Sequence, residues 1–190
     1  MATPTPWVAS GSHRSYTPAE LQNNLAPPDW YPNEHRTMPA IVARGSPSQG
    51  KGPPLLPCAL CHLPNGAGHV ESASLAGLSA EYIELQFASW REGTRKIGVG
   101  DANARAFLTA LKSRYSKDQV RAAAQYFASL KPRRWIRVVE AEAVPASAVN
   151  SETLMRLPLR GGRMEPLGRR IVELPEDPLA LVYRDSHAGF

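Results

Sequence analysis

The stretch Cys58-Ala59-Leu60-Cys61-His62 holds both cysteines of this 190-residue chain and one of its five histidines. Cys-x-x-Cys-His is the spacing at which a haem is attached covalently. Two thiols add to the two vinyl groups as thioethers, and the two intervening residues set the sulfurs at the vinyl separation. The adjacent His62 then lies under the iron and ligates it through Nε2. Other chemistries fit this pentapeptide less well. A structural zinc wants four ligands, usually from two separated pairs, and no second cysteine pair exists. A thioredoxin-like dithiol wants a strand leading into a helix. Here the preceding residues 46 to 57 are rich in Pro, Gly and Ser. An inert pair of core thiols is the remaining alternative. Thioether attachment implies an exported protein loaded with one haem c, hence the periplasm.

Working outward, the chain reads as three parts: an arm over 1–37, a helical centre over 38–131 and an extension over 132–190. In the arm, Thr17, Pro18 and Glu20 form a capping box with Pro at the first helical position, predicting a helix to about Leu25, where Pro27-Pro28 stop it. "PPDWYP" reads as an extended segment that lays Trp30 and Tyr31 on a surface. In the centre, a short helix is predicted from Pro39 to Arg44, ending at Gly45. "LPNGAGH" after His62 is turn chemistry. Ser79 caps a predicted helix over Ala80 to Glu92 with Gly93 beyond its end. Its Ile83, Phe87 and Trp90 fall on one face. Asp101 is the expected cap of a third helix to about Lys112, with Phe107, Ala110 and Leu111 on one side. Ser116 and Gln119 form a second capping box, opening a helix to Leu130 with Val120, Ala124, Phe127 and Leu130 inward. In the extension, "WIRVVEAEAV", "RRIVELPED" and "LALVYRD" read as strands, expected to make a small sheet or arm on the helical centre. The chain stops at "SHAGF" in that strand-like context, leaving open that the natural protein continues.

The formal net charge is +5 and the hydrophobic fraction 43%. That balance suits a packed core with a basic surface, and complementary charge speeds encounter with an acidic partner. The arginines are scattered and carry no nucleic-acid motif. No run approaches the ~20 apolar residues that span a bilayer. The start "MATPTPWVAS" has no charged n-region or apolar h-region, so an exported form is expected to have lost or replaced its signal. No Ser/His/Asp set, phosphate loop or carboxylate pair stands in recognisable spacing, so the chain is not expected to be an enzyme itself.

The segments "CALCHLPNGAG", "SLAGLSAEYIELQFASWREGTR" and "YSKDQVRAAAQYFASL" together resemble the small class I bacterial cytochromes c. Those carry a haem-binding pentapeptide, a Gly-rich loop, a "LAG" turn, a helix with Tyr and Gln ahead of F-x-x-G-x-R, and a last helix ending in Y-x-x-x-L. The likeness covers roughly residues 38 to 131. "PPDWYP", "WIRVVE" and "EPLGRRIVELPED" resemble a longer-armed periplasmic group. The resemblance implies a mainly α fold: a cytochrome c-like helical haem domain with an irregular N-terminal arm and a small β-containing C-terminal extension. It implies electron transfer, as a free carrier or as a subunit or docking partner of a dehydrogenase or oxidase complex. Cys58 and Cys61 would anchor the haem and His62 would be the proximal ligand. Leu75, Tyr82, Ile83, Phe87, Trp90 and Leu108 would line the haem. Arg95 would pair with a propionate, and the Nδ1–H of His62 would donate to a backbone carbonyl in the 70–74 loop.

The distal ligand departs from that pattern. In the family it is usually a Met shortly before the last helix, yet no Met lies between Cys61 and Leu154, and Leu108 stands near the expected place. Met38 and Met155 are the first candidates, then Met164 and His69. Lys112 could serve only if deprotonated. A five-coordinate or water-ligated iron is a further alternative, and would make the protein a haem-based small-ligand binder or sensor. The donor and acceptor of electrons are not legible.

Overall fold

The computed structural model describes residues 5–70, 72–96, 102–151 and 153–190. Seven α-helices are present among them: α1 (Pro18–Leu21), α2 (Ala40–Ala43), α3 (Cys58–His62), α4 (Ala80–Glu92), α5 (Ala102–Leu111), α6 (Lys117–Ala128) and α7 (Pro178–Val182). The expected cap at Asp101 lies outside the described residues. Short strands β1 (Ala143–Pro145), β2 (Ser147–Val149), β3 (Arg156–Pro158) and β4 (Met164–Pro166) pair antiparallel as β1 with β4 and β2 with β3.

The predicted helix starts form as their caps dictate. Thr17 and Ser116 each accept from the backbone three residues on, and Glu20 and Gln119 reach back to the cap. Ser79 accepts from the Tyr82 N–H, and Gly93 ends α4 in the left-handed region at φ 84°. α1 stops four residues short of Leu25. Gln22 closes it, and the Asn23 side chain takes the Leu25 N–H into a turn. α6 ends at Ala128, with Leu130 buried just beyond it.

α4 packs on α6, and α2 packs on both α3 and α6. The core at this junction is Ile41, Val42, Ala59, Ala76, Tyr126 and Phe127. Phe127 and Tyr126 are each 1% exposed. On α5 the expected inward set is corrected. Phe107 and Ala110 are exposed, while Leu111 is buried and Leu108 lies half-buried one turn earlier. At about 100° per residue, Leu108 and Leu111 share a face, with Phe107 at its margin and Ala110 on the outer side.

All three predicted strands of the extension are corrected. "WIRVVEAEAV" reaches strand only at its end, in β1. Its Val138 and Val139 are exposed, because no neighbouring segment offers them a ladder. "RRIVELPED" forms no strand, and Ile171 is 98% exposed. "LALVYRD" is largely helix α7. The Asp177 carboxylate accepts from the Leu179 and Ala180 N–H groups, and Pro178 sits at the first helical position. This Asp-Pro start signal outweighs the apolar, strand-like run after it.

The arm and the extension meet. Trp30, 1% exposed, sits among Ala9, Trp7, Tyr16 and Tyr183, and its indole N–H donates to the Tyr183 carbonyl at 3.0 Å. Tyr31 donates to the Ser10 carbonyl and approaches Asp185 Oδ1 at 3.1 Å, and its ring stacks on His187. "PPDWYP" therefore does lay both aromatics on a surface.

His35 is held in the same region. Its Nε2 lies 3.0 Å from Asp29 Oδ1. That bond raises the His35 pKa above the ordinary value, with burial opposing it. A raised folded-state pKa contributes stability that is fully present below the unfolded value, about 6.5, and is lost as pH rises through the folded value. The unfolding free energy of the native chain minus that of Asp29→Asn is expected to be larger at pH 5.5 than at pH 8. A difference independent of pH in urea melts would refute this.

Candidate functional site

α3 is a single turn that carries all of CALCH. It ends directly after His62, because Leu63 adopts φ 60° and ψ 158°. That region is essentially reserved for glycine and costs about 1–3 kcal/mol elsewhere. Burial of the Leu63 side chain, 2% exposed, holds it there. The turn sends the chain through Gly66 and Gly68, both at positive φ. A Cβ on Gly68 would stand 2.5 Å from the Ser72 carbonyl oxygen. Only glycine permits that approach, and it brings residues 72–76 back beside α3.

The returning loop fixes His62. Nδ1 is 2.9 Å from the Ala73 carbonyl oxygen. A carbonyl can only accept, so Nδ1 carries the proton and the lone pair resides on Nε2. The expectation of a 70–74 carbonyl partner is met by Ala73. The imidazole also meets the Phe127 ring edge-on at 6.0 Å.

CALCH opens onto a cleft of about 370 Å³ walled by α3, α4, α5 and α6. Cys58, Cys61, His62, Leu75, Tyr82, Ile83, Phe87, Trp90, Arg95 and Leu108 all line it. Arg95 is tied to Gln86 in the same wall. Leu111, expected only as an inward residue of its helix, and Tyr115, which carried no expectation, also line the cleft. Tyr115 donates to the Leu56 carbonyl at 2.9 Å and meets Phe87 edge-on at 5.5 Å. A lone aromatic between two helices gives no periodic signal, so only tertiary placement identifies it.

None of the distal candidates lines this cleft. Met38 packs on the Ile41–Phe127 core. Met155, 2% exposed, is enclosed by Leu181 and Phe190. Met164 is exposed on β4. His69 is buried, with Nε2 2.9 Å from the Leu181 carbonyl. Lys112 donates to the Trp90 carbonyl.

The two cysteines are not disulfide-bonded. Burial, followed by the neighbouring Cys61, pushes the Cys58 thiol up to about 12. A redox-active dithiol needs a lowered thiol pKa, so the environment opposes a thioredoxin-like role. Among the described residues no three His, Cys, Asp or Glu side chains converge as a metal-ion site, which removes the four-ligand zinc alternative there. The cleft fits a haem held by CALCH. The walls are largely apolar, the two sulfurs and the imidazole share one edge of it, and the ring carries its lone pair on the nitrogen a metal would need. Its volume lies within the usual range for small-molecule sites, about 300–1,000 Å³.

No protein-family model matches the chain. A protein of Stutzerimonas stutzeri (strain A1501) named thiosulfate dehydrogenase electron acceptor is 39% identical to it over 74 residues. The match covers 38% of this chain and 32% of that protein, so the chain spans about a third of the relative it resembles. Among the described residues no helix is long and apolar enough to cross a membrane.

Proposed function

We propose that this chain is a periplasmic monohaem c-type cytochrome that passes electrons as a subunit or docking partner of a larger redox enzyme, without catalysing a reaction of its own. The observation that carries this reading is the His62 arrangement. A Cys-x-x-Cys-His turn faces an apolar cleft, and its imidazole is locked by Ala73 in the tautomer that presents Nε2 to a metal. Second-sphere bonds of this kind orient ligating histidines and raise their basicity.

Haem bound here would supply one-electron chemistry at iron, at a potential that axial ligation can move over about 0.8 V. The chain's own residues would do the rest. Cys58 and Cys61 would hold the group covalently, and His62 would ligate on one side. Phe87, Trp90, Leu108 and Leu111 would exclude water. Arg95 would offer charge to a propionate. The name of the Stutzerimonas relative makes a thiosulfate dehydrogenase the first donor to try. The net charge of +5 suits an acidic docking face.

Co-expression with a c-type maturation system in the periplasm is the test. The purified protein is expected to show a c-type α-band on reduction, a pyridine haemochrome of one haem per chain, and reduction by a thiosulfate dehydrogenase supplied with thiosulfate. A reduced protein lacking any α-band after successful export would overturn the haem reading. Loaded protein that this dehydrogenase leaves oxidised would overturn the choice of donor alone.

A further inference from the structure

We infer that the iron position opposite His62 carries no side-chain ligand and is open to a small neutral diatomic such as carbon monoxide or nitric oxide. This rests on the haem reading above and concerns what the other walls of the same cleft can offer.

α5 is the wall where the likeness to other cytochromes would place a methionine. The residues it contributes to the cleft are Leu108 and Leu111, and an isobutyl side chain has no lone pair to give. Between α4 and α5, residues 97–101 ("IGVGD") lie outside the described residues and contain no Met, His, Lys or Cys, and Lys96 before them is exposed and does not line the cleft.

Several lone pairs elsewhere in the lining are engaged or unsuited. Gln86 Oε1 accepts from Arg95, and Gln119 Oε1 accepts from the Ser116 N–H. Tyr115 donates to the Leu56 carbonyl, and burial raises its phenol far above the ordinary value, so a phenolate ligand is unavailable at neutral pH. Among the described residues, every Met and every His other than His62 lies outside the cleft lining. Met38, Met155 and His69 are packed or hydrogen-bonded elsewhere. His35 is paired with Asp29, and His187 with Glu34 and Tyr31.

The ligand class follows from the wall. Leucines and aromatic rings leave an arriving molecule few hydrogen-bond partners and a low dielectric. That favours neutral diatomics over anions, whose charge would be costly to desolvate.

The experiment mixes the haem-loaded, dithionite-reduced full chain with carbon monoxide and follows the Soret and α-bands, with haem quantified by pyridine haemochrome. Complete conversion to a carbonyl spectrum is expected. A fully loaded protein whose ferrous spectrum carbon monoxide leaves unchanged would overturn this inference and leave the haem reading standing. A protein with no haem at all would overturn both.

Leu108→Met supplies the second arm. A thioether on α5 that occupies the iron nine-tenths of the time should lower the apparent carbon monoxide affinity about tenfold. It should also add a sulfur-to-iron charge-transfer band in the ferric protein. A loaded Leu108→Met variant with native affinity and no such band would show that α5 does not face the open position, and would overturn the assignment of that wall.

Discussion

A Cys58→Ala, Cys61→Ala double variant is expected to lose all covalently retained haem, so that a denaturing gel stained for haem peroxidase activity shows no band where the native chain stains. Each single variant should keep a weaker band, since one thioether remains possible. The expectation follows from the placement of both sulfurs on one turn at the edge of the cleft. The rest of the cleft could still bind haem reversibly through His62, so the loss expected is of covalent attachment. A double variant that stains as strongly as the native chain in the denaturing gel would refute thioether attachment at these positions.

The second large effect concerns stability. Trp30→Ala is expected to cost about 3–5 kcal/mol, the usual range for truncating a fully buried aromatic. The side chain is 1% exposed, touches Trp7 and Tyr16 at ring-centre distances of 5.0 and 4.5 Å, and satisfies the Tyr183 carbonyl. Removing it opens a cavity and leaves that carbonyl without its donor. The midpoint in urea should fall, with the slope nearly unchanged. Ile171→Ala, at a residue 98% exposed, should shift the midpoint by no more than about 0.5 kcal/mol equivalent. Similar small shifts for both substitutions would mean that the contact between arm and extension contributes little.

The local parts of this fold were legible in the sequence. Thr17, Ser79 and Ser116 announce their helices because a cap is a short-range chemical requirement, met within three residues. The lining of the cleft was legible for a related reason. Ile83, Phe87 and Trp90 repeat with the helix, and CALCH stands on a single turn at the edge of the cleft. The extension does hold a small β part, but its strands were assigned to the wrong segments, because composition argued for strands while their partners lay far away. Val138 and Val139 have the composition of a strand but no ladder, and no sequence pattern reports a missing neighbour. At Asp177-Pro178 the start signal was present, and the apolar run after it was given too much weight. Leu108 was placed in the cleft, yet Phe107 beside it was taken as inward-facing, a rotation of about 100° that single-sequence periodicity resolves poorly when both residues are apolar. Tyr115 carried no local signal at all.

The seam between residues 181–186 and the loop after His62 has a consequence for the order of events during synthesis. Asn65 donates to the Ser186 carbonyl, His69 meets the Leu181 carbonyl, and Arg184 reaches the Leu60 carbonyl, across separations of 121, 112 and 124 residues. Contacts that distant in sequence close late, and a chain made at about 5–20 residues per second keeps residues 58–62 uncovered for several seconds before their partners emerge. The Cys58 thiol, half-buried at the edge of the cleft, is hard to ionise in the folded chain. The seam, across those separations, is therefore among the last contacts that a growing chain can close.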